Sequence, residues 1–185
     1  MTGGRGPGSD LPDLPFERQD PLGRRIEFRA CGPADRGSVE AFYASFDPAD
    51  RAQGIPPARP EALGPWLDVV LEGAGVVAVH GDRVVGHAAL VRDGSGGHEL
   101  VVFVLQGYRG TGTGTALVRA LLGLALSLGV GRIWLTVQRW NHPAIAVYRK
   151  TGFVRVGDEG LEIVMARPAP HADPASGWAG AGSGP

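Results

Sequence analysis

Four glycines crowd into eight residues, Gly107-Tyr108-Arg109-Gly110-Thr111-Gly112-Thr113-Gly114. Loops of this kind can hold phosphates. Bare main-chain N–H groups project from them, and a helix that starts there adds the positive end of its dipole. Spacing decides which phosphate. A nucleotide P-loop needs Gly, four residues, then Gly-Lys-Ser/Thr. Gly107 and Gly112 have that separation, but Thr113 stands where the lysine belongs. A dinucleotide fingerprint needs Gly-x-Gly-x-x-Gly. Counted from Gly110 its last position is Thr115, and from Gly112 it is Leu117. What remains is Arg109-x-x-Gly112-x-Gly114, which reads as a phosphate cradle or as an ordinary glycine-rich turn.

That pattern resembles the coenzyme A pyrophosphate loop of the GNAT family of N-acetyltransferases, (Gln/Arg)-x-x-Gly-x-(Gly/Ala). A second stretch, from Asn141 to Phe153, resembles the family's other signature, Asn-x-x-Ala-x-x-x-Tyr-x-x-x-Gly-Phe. Asn141, Ala144, Tyr148, Gly152 and Phe153 all match. Alone, Asn141 and Pro143 would be helix-capping chemistry and Tyr148 a packing residue. Together the two motifs carry the resemblance. One departure is Gln106, where family members commonly have a proline that shapes the turn.

The resemblance implies an acetyl-coenzyme A-dependent N-acetyltransferase acting on a primary amine by direct ternary-complex transfer. The alternative is an acyl-coenzyme A-binding regulatory module of low activity. On the resemblance, Arg109, Gly110, Thr111, Gly112, Thr113, Gly114 and Thr115 hold the pyrophosphate. The pantetheine arm lies along Val102, Phe103 and Val104, in a slot opened by a splay between strands 97–105 and 131–138. Asn141 and Tyr148 line the cofactor. Tyr148 is the candidate acid for the leaving thiolate, since a phenol near about 10 and a thiol near about 8.5 are close enough for transfer in a positioned site. Glu99, ten residues before Arg109, is spaced like the strand glutamate that serves as base in bacterial protein-lysine acetyltransferases. An exposed strand carboxylate is the plainer reading of Glu99. His98, its neighbour, points to the opposite face by strand alternation. His87 and His142 have no metal-like partners at useful spacing, so no metal site is expected.

These residues need elements to position them. Ile26, Phe28 and Ala30 alternate along a strand over 24–30. Residues 33–46 read as a helix, 47–60 as a loop rich in proline, and 60–72 as a second helix. Strands are predicted at 76–79 and 83–91 around a turn at 80–82, and at 97–105. A helix over 112–128 ends at Gly129. A strand over 131–138, a helix over 143–151 and strands at 154–156 and 161–166 complete the domain. The order predicts an α/β fold, with a mixed, mostly antiparallel central sheet of about seven strands and helices on both faces. This too resembles the family's layout. Residues 1–22 and 167–185 are rich in Gly, Pro, Ala and Asp and read as flexible tails around a domain at 24–166.

Composition narrows the class. The chain has 185 residues, 43% of them hydrophobic, and a net charge of −1, which suits one globular domain. The charge is unevenly placed. From Leu100 to Gly157 there is no Asp or Glu, against seven basic residues, and the remaining 11 basic residues face all 19 acidic ones. The half that holds the glycine loop would steer a small polyanion. The basic residues are scattered without an aromatic platform, so nucleic acid is not the expected partner. The longest apolar run, Ala116 to Val130, contains Arg119 and suits a buried helix rather than a membrane span. A single cysteine, Cys31, rules out a disulfide framework. With no leader-like segment at the start, the expected location is the cytoplasm. Cys31 reads as a buried filler. A homodimer is compatible with the sequence, although Trp66, Trp134 and Trp140 read first as packing residues. The acceptor is the least legible partner. Ten acids against five bases over residues 35–99 suit a cationic amine.

Overall fold

A computed structural model describes residues 11–47, 55–57 and 59–167. In chain order the elements are β1 (Phe16–Gln19), β2 (Arg25–Ala30), α1 (Arg36–Ala44), α2 (Pro60–Glu72), β3 (Gly75–His80), β4 (Arg83–Arg92) and β5 (His98–Val104). They continue with α3 (Thr113–Ser127), β6 (Ile133–Gln138), α4 (His142–Lys150), β7 (Val154–Glu159) and β8 (Glu162–Arg167). The strands form one eight-stranded sheet in the order β1-β2-β3-β4-β5-β6-β8-β7. Every pairing is antiparallel except that of β5 with β6. A parallel pair needs a crossover, and α3 supplies it.

Two hydrophobic clusters sandwich the sheet. On one face Leu117, Leu121 and Ala125 of α3 pack with Ile145 and Tyr148 of α4 onto Ile26, Val76, Ala88, Leu100, Leu135 and Met165. The fit of α3 is close. A Cβ on Gly86 of β4 would stand 2.7 Å from Leu117 Cδ1, so only glycine lets the helix seat there without a shift. On the other face Val39, Phe42, Tyr43 and Phe46 of the α1 region meet Leu63 and Leu67 of α2 over Val77 and Val84.

Within the predicted tail 1–22, residues 11–22 are ordered, and Phe16–Gln19 form β1. Phe16 stacks on Phe28 with centroids 4.8 Å apart and planes 9° apart. Leu11 and Leu14 pack against the α3 cluster. These contacts add the eighth strand to the seven the pattern indicates. Residues 1–10 and 168–185, and most of the loop expected at 47–60, lie outside the described residues. The helix expected over 33–46 divides into a 3-10 turn at Pro33–Asp35 and α1.

Candidate active site

The site begins where β5 and β6 part. They are in register only at His98↔Ile133 and Glu99↔Trp134, the first residues of each strand. Beyond that point no pairing links them, and a gap opens toward the C-terminal ends of both. Strand parity shows which groups face it. Leu105 N–H donates to Val85 O at 3.0 Å, so odd-numbered residues of β5 turn their N–H and C=O toward β4. Even-numbered ones turn the other way, as His98 N–H does to Arg132 O at 3.0 Å. Val102 and Val104 therefore present main-chain groups to the gap. On the far side, Arg139 N–H donates to Leu161 O at 3.1 Å, which turns odd residues of β6 to β8 and leaves Thr136 and Gln138 facing the gap.

This parity corrects the reading of Phe103. It lies opposite His87 in the β4 ladder, so its N–H and C=O are turned away from the gap. Its side chain instead joins the aromatic cluster of the α1 face, 5.5 Å from Tyr43 and 5.8 Å from Phe46 between ring centroids.

The glycine loop follows directly. Gln106–Tyr108 form a short 3-10 turn. Gly110 and Gly112 take φ of 73° and 89°, the left-handed region that glycine adopts without strain. Ala116 N–H is the first to return to the main chain, at Gly112 O, 3.0 Å away. The N–H groups of residues 110 to 115 make no hydrogen bond to the described residues. Six open donors at a helix start form an anion cradle. Thr111 Oγ1 donates to Tyr108 O at 2.8 Å and meets Thr113 Oγ1 at 2.9 Å, which fixes the curve of the loop. Arg109 Nε donates to Val104 O at 2.9 Å. That bond ties the loop to the strand end and leaves Val104 N–H as the group aimed into the gap. The loop starts two residues after Val104, so the gap and the cradle adjoin at the strand end.

At the wider end of the motif, Asn141 Oδ1 caps α4 by accepting from Ala144 N–H at 3.2 Å. Its Nδ2 bonds to none of the described residues. Tyr148, seven residues on, is 8% exposed and packs edge-on to Phe153. Its hydroxyl makes no hydrogen bond within the described residues, and burial drives its pKa well above the ordinary phenol value. The side chain therefore stays protonated and can donate.

Glu99 lies on the opposite face. In β6 and β8, buried Ile133, Leu135, Val137, Ile163 and Met165 alternate with half-buried Trp134, Thr136, Gln138, Glu162 and Val164. The first set faces α3 and α4. The second shares a face with Glu99 and Val101 through the registers Glu99↔Trp134, Thr136↔Val164 and Gln138↔Glu162. Helices α1 and α2 settle over β4, so this part of the face is left open among the described residues. Glu99 is half-buried on that floor. Partial burial first, then the charges of Glu162 and Asp93, raise its pKa above the ordinary glutamate value.

Asp93, absent from the sequence reading, is the anchor beside it. It accepts from Trp134 Nε1 at 2.9 Å, from the N–H groups of Ser95 and Gly97 at 2.8 and 2.9 Å, and from Arg132 at 3.1 Å. Burial opposes its ionisation, but these donors outweigh burial and hold its pKa far below the usual range. With its lone pairs filled, Asp93 orients Trp134 and is not free to act as a base. Trp134 reads from the sequence as a packing residue, and only the sheet order shows that no helix covers it among the described residues. His98 lies on the α3 face, away from Glu99. His87 is fully buried, with Nδ1 2.7 Å from Tyr43 Oη, and burial lowers its pKa to about 4. Cys31 is half-buried, and burial raises its pKa to about 11, so it stays a thiol at neutral pH.

Comparison with known proteins identifies the family and the fold. Residues 39–153 match the model of the acetyltransferase (GNAT) family. An uncharacterized N-acetyltransferase of Mycobacterium tuberculosis is 36% identical over 112 residues, covering 53% of this chain and 72% of its own. Streptothricin acetyltransferase of Streptomyces lavendulae is 28% identical over 176 residues, covering 81% of this chain and 93% of its own. Among solved structures, the GNAT domain of S. lividans PAT superposes with a TM-score of 0.70 at 17% identity, over 83% of this chain and 96% of that one.

Proposed function

This chain belongs to the GNAT acetyltransferase family, and from that premise we propose that it transfers acetyl from acetyl-coenzyme A directly to a cationic primary amine. The observation that supports this most is the adjacency of two features: the open amides of residues 110–115 and the parted strands β5 and β6. The first suits a diphosphate. The second suits an extended arm that pairs like an added strand with Val102 and Val104.

In this reading Gly110, Thr111, Gly112, Thr113, Gly114 and Thr115 grip the pyrophosphate, and Arg109 holds the loop in place. Val104 N–H donates to the thioester carbonyl as negative charge develops on its oxygen. The acceptor lies on the open floor. Glu99 attracts the ammonium form and takes the proton that the amine must lose to attack. Its raised pKa makes it a better base than an ordinary glutamate. Glu99 and Val104 are five residues apart on one strand, roughly 17 Å between Cα atoms at the rise of a strand, so a chain of waters carries the proton between amine and carboxylate.

Attack forms the C–N bond, and collapse breaks the C–S bond. Tyr148 Oη meets the departing thiolate as a hydrogen-bond donor. Its raised pKa widens the gap to a thiol and makes full proton transfer uphill, so stabilising the sulfur charge is its main task. Asn141 steadies the start of α4, which carries Tyr148. The thiol of Cys31 takes no part, in keeping with direct transfer.

The test is twofold. Calorimetry with coenzyme A and acetyl-coenzyme A should give saturable binding. Thiol release should then be followed over a panel of peptide amines, polyamines, aminoglycosides and streptothricin. Saturable release with at least one cationic amine supports the reading. Binding without release under any amine would leave a cofactor-binding protein and reject the transfer.

A further inference from the structure

Residues 11–19 run across α3 and end on the glycine loop. Pro12 O stands 3.1 Å from where a Cβ on Gly123 would lie, so the segment presses close to the middle of the helix. The β1–β2 hairpin then reaches the loop at two places. Arg24 donates from Nη1 to Gly107 O at 3.0 Å and lies 4.0 Å over the Tyr108 ring. Arg18 donates from Nη1 to Gly112 O at 3.3 Å. A Cβ on Gly112 would stand 2.7 Å from Arg18 Nη2.

The two arginines differ in charge balance. Arg24 is neutralised by Asp20 at 2.6 Å. Arg18 forms no ion pair within the described residues. It sits beside Asp20, Ile26, Phe28, Thr111 and Thr113, and the one carboxylate there is committed to Arg24. The guanidinium thus places an uncompensated positive charge one peptide behind the cradle.

We propose that Arg18 is a positioning residue for the donor's pyrophosphate, acting through the Gly112–Thr113 peptide and through its charge; this rests on the proposed function. The peptide is a single dipole. Its oxygen accepts from Arg18 and from Ala116 N–H at 3.0 Å, and its nitrogen carries the Thr113 N–H, one of the six open donors. A cation on the oxygen polarises the group and strengthens that N–H toward an anion. The same charge attracts the diphosphate across the loop, over a range that salt screens. An N-terminal strand outside the two glycine-bearing motifs thereby tunes how the donor is held.

The experiment compares Arg18→Gln with Arg18→Lys, and with Arg25→Gln as a control that removes an equal charge from the same hairpin. Arg25 pairs only loosely with Glu17, at 3.6 Å, and does not reach the loop. Coenzyme A affinity is measured at low and high salt, and acetyl-pantetheine, which lacks the pyrophosphate, is used as an alternative donor. Arg18→Gln should weaken coenzyme A about fivefold at low salt, with the difference shrinking as salt rises. Its KM for acetyl-pantetheine should not change. Arg18→Lys should keep most of the affinity and Arg25→Gln all of it. Unchanged coenzyme A affinity in a folded Arg18→Gln protein overturns the proposal. An equal loss toward acetyl-pantetheine overturns it too, because it would mark a structural role. Failure of the unaltered protein to bind coenzyme A is a separate result and rejects the proposed function itself.

Discussion

On the donor side of the β5–β6 opening, the groups turned toward a ligand are mostly main chain: the amides of 110–115 and the N–H groups of Val102 and Val104. On the acceptor side they are side chains: Glu99, Val101, Trp134, Thr136, Glu162 and Val164. Main chain offers the same donors whatever the side chains are, provided φ and pairing are right. A site of that kind constrains sequence through glycines and strand parity. A floor of side chains can change its chemistry one residue at a time without disturbing the sheet beneath. In the proposed reading the donor is fixed by fold and the acceptor by substitution, which suits a family whose members share a fold at low identity.

The sharpest break of that contrast is Glu99→Gln. Removing a general base should lower kcat/KM by about a hundredfold or more and leave acetyl-coenzyme A affinity unchanged, since Glu99 lies on the floor and not in the cradle. Wild-type activity should fall as pH drops through the pKa of Glu99, which sits above the ordinary value of about 4.3, and the variant should lack that limb. Stability should move oppositely. Because the folded-state pKa is raised, the wild type is most favoured with Glu99 protonated and loses stability as pH rises through that pKa. The variant should therefore melt higher at pH 7, and the difference should vanish below the unfolded pKa. A thermal melt and a pH–rate profile check both. Unchanged turnover would return Glu99 to the plain strand carboxylate that the sequence also allowed.

Gly112→Val is the matching break on the donor side. A β-branched residue at φ of 89° costs about 1–3 kcal/mol, and its Cβ would displace the Arg18 guanidinium. Coenzyme A affinity should fall roughly ten- to a hundredfold by that strain, at 1.36 kcal/mol per tenfold. The KM of the acceptor should stay where it was. Equal losses on both substrates would mean that loop and floor are one coupled site, and the contrast would fail.

The same contrast explains what could be read without coordinates. The glycine loop was legible because positive φ and open amides require particular residues at particular spacing. Helix α3 was legible from its apolar stripe and its terminal Gly129. Strand β1 was hidden. It has one apolar residue, Phe16, after a stretch rich in Gly, Pro and Asp, and what holds it is a stack on Phe28 that no local pattern records. Phe103 was misread for a related reason, since parity along β5 is set by pairing with β4 rather than by residue type. Trp134 reads as a packing residue in the sequence, because whether a helix would cover it depends on where α1 and α2 settle, which is a tertiary outcome.

Tyr148→Phe tests a side chain that crosses the division, because it serves the donor's sulfur and not its phosphates. A hydrogen bond to a charged group is worth about 1.5–3 kcal/mol, so kcat should fall at least about tenfold, with both KM values close to wild type. The hydroxyl bonds to none of the described residues, so the melting temperature should change little. A loss of stability with normal kcat would make Tyr148 a packing residue.

The smallest expected effect belongs to Glu162→Gln, and it probes how far the acceptor floor extends. Glu162 is half-buried on β8, opposite Gln138 across one ladder and Glu159 across the other, and it forms no ion pair within the described residues. Its charge contributes to the raised pKa of Glu99. Neutralising it should lower that pKa and shift the acid limb of the rate profile to lower pH. For a cationic acceptor KM should rise about threefold at low salt and recover at high salt, as expected for a screened, partly exposed charge. Acetyl-coenzyme A should bind as before. A change in donor affinity instead would place Glu162 on the wrong side of the division, and the acceptor would then have to approach from elsewhere on the sheet.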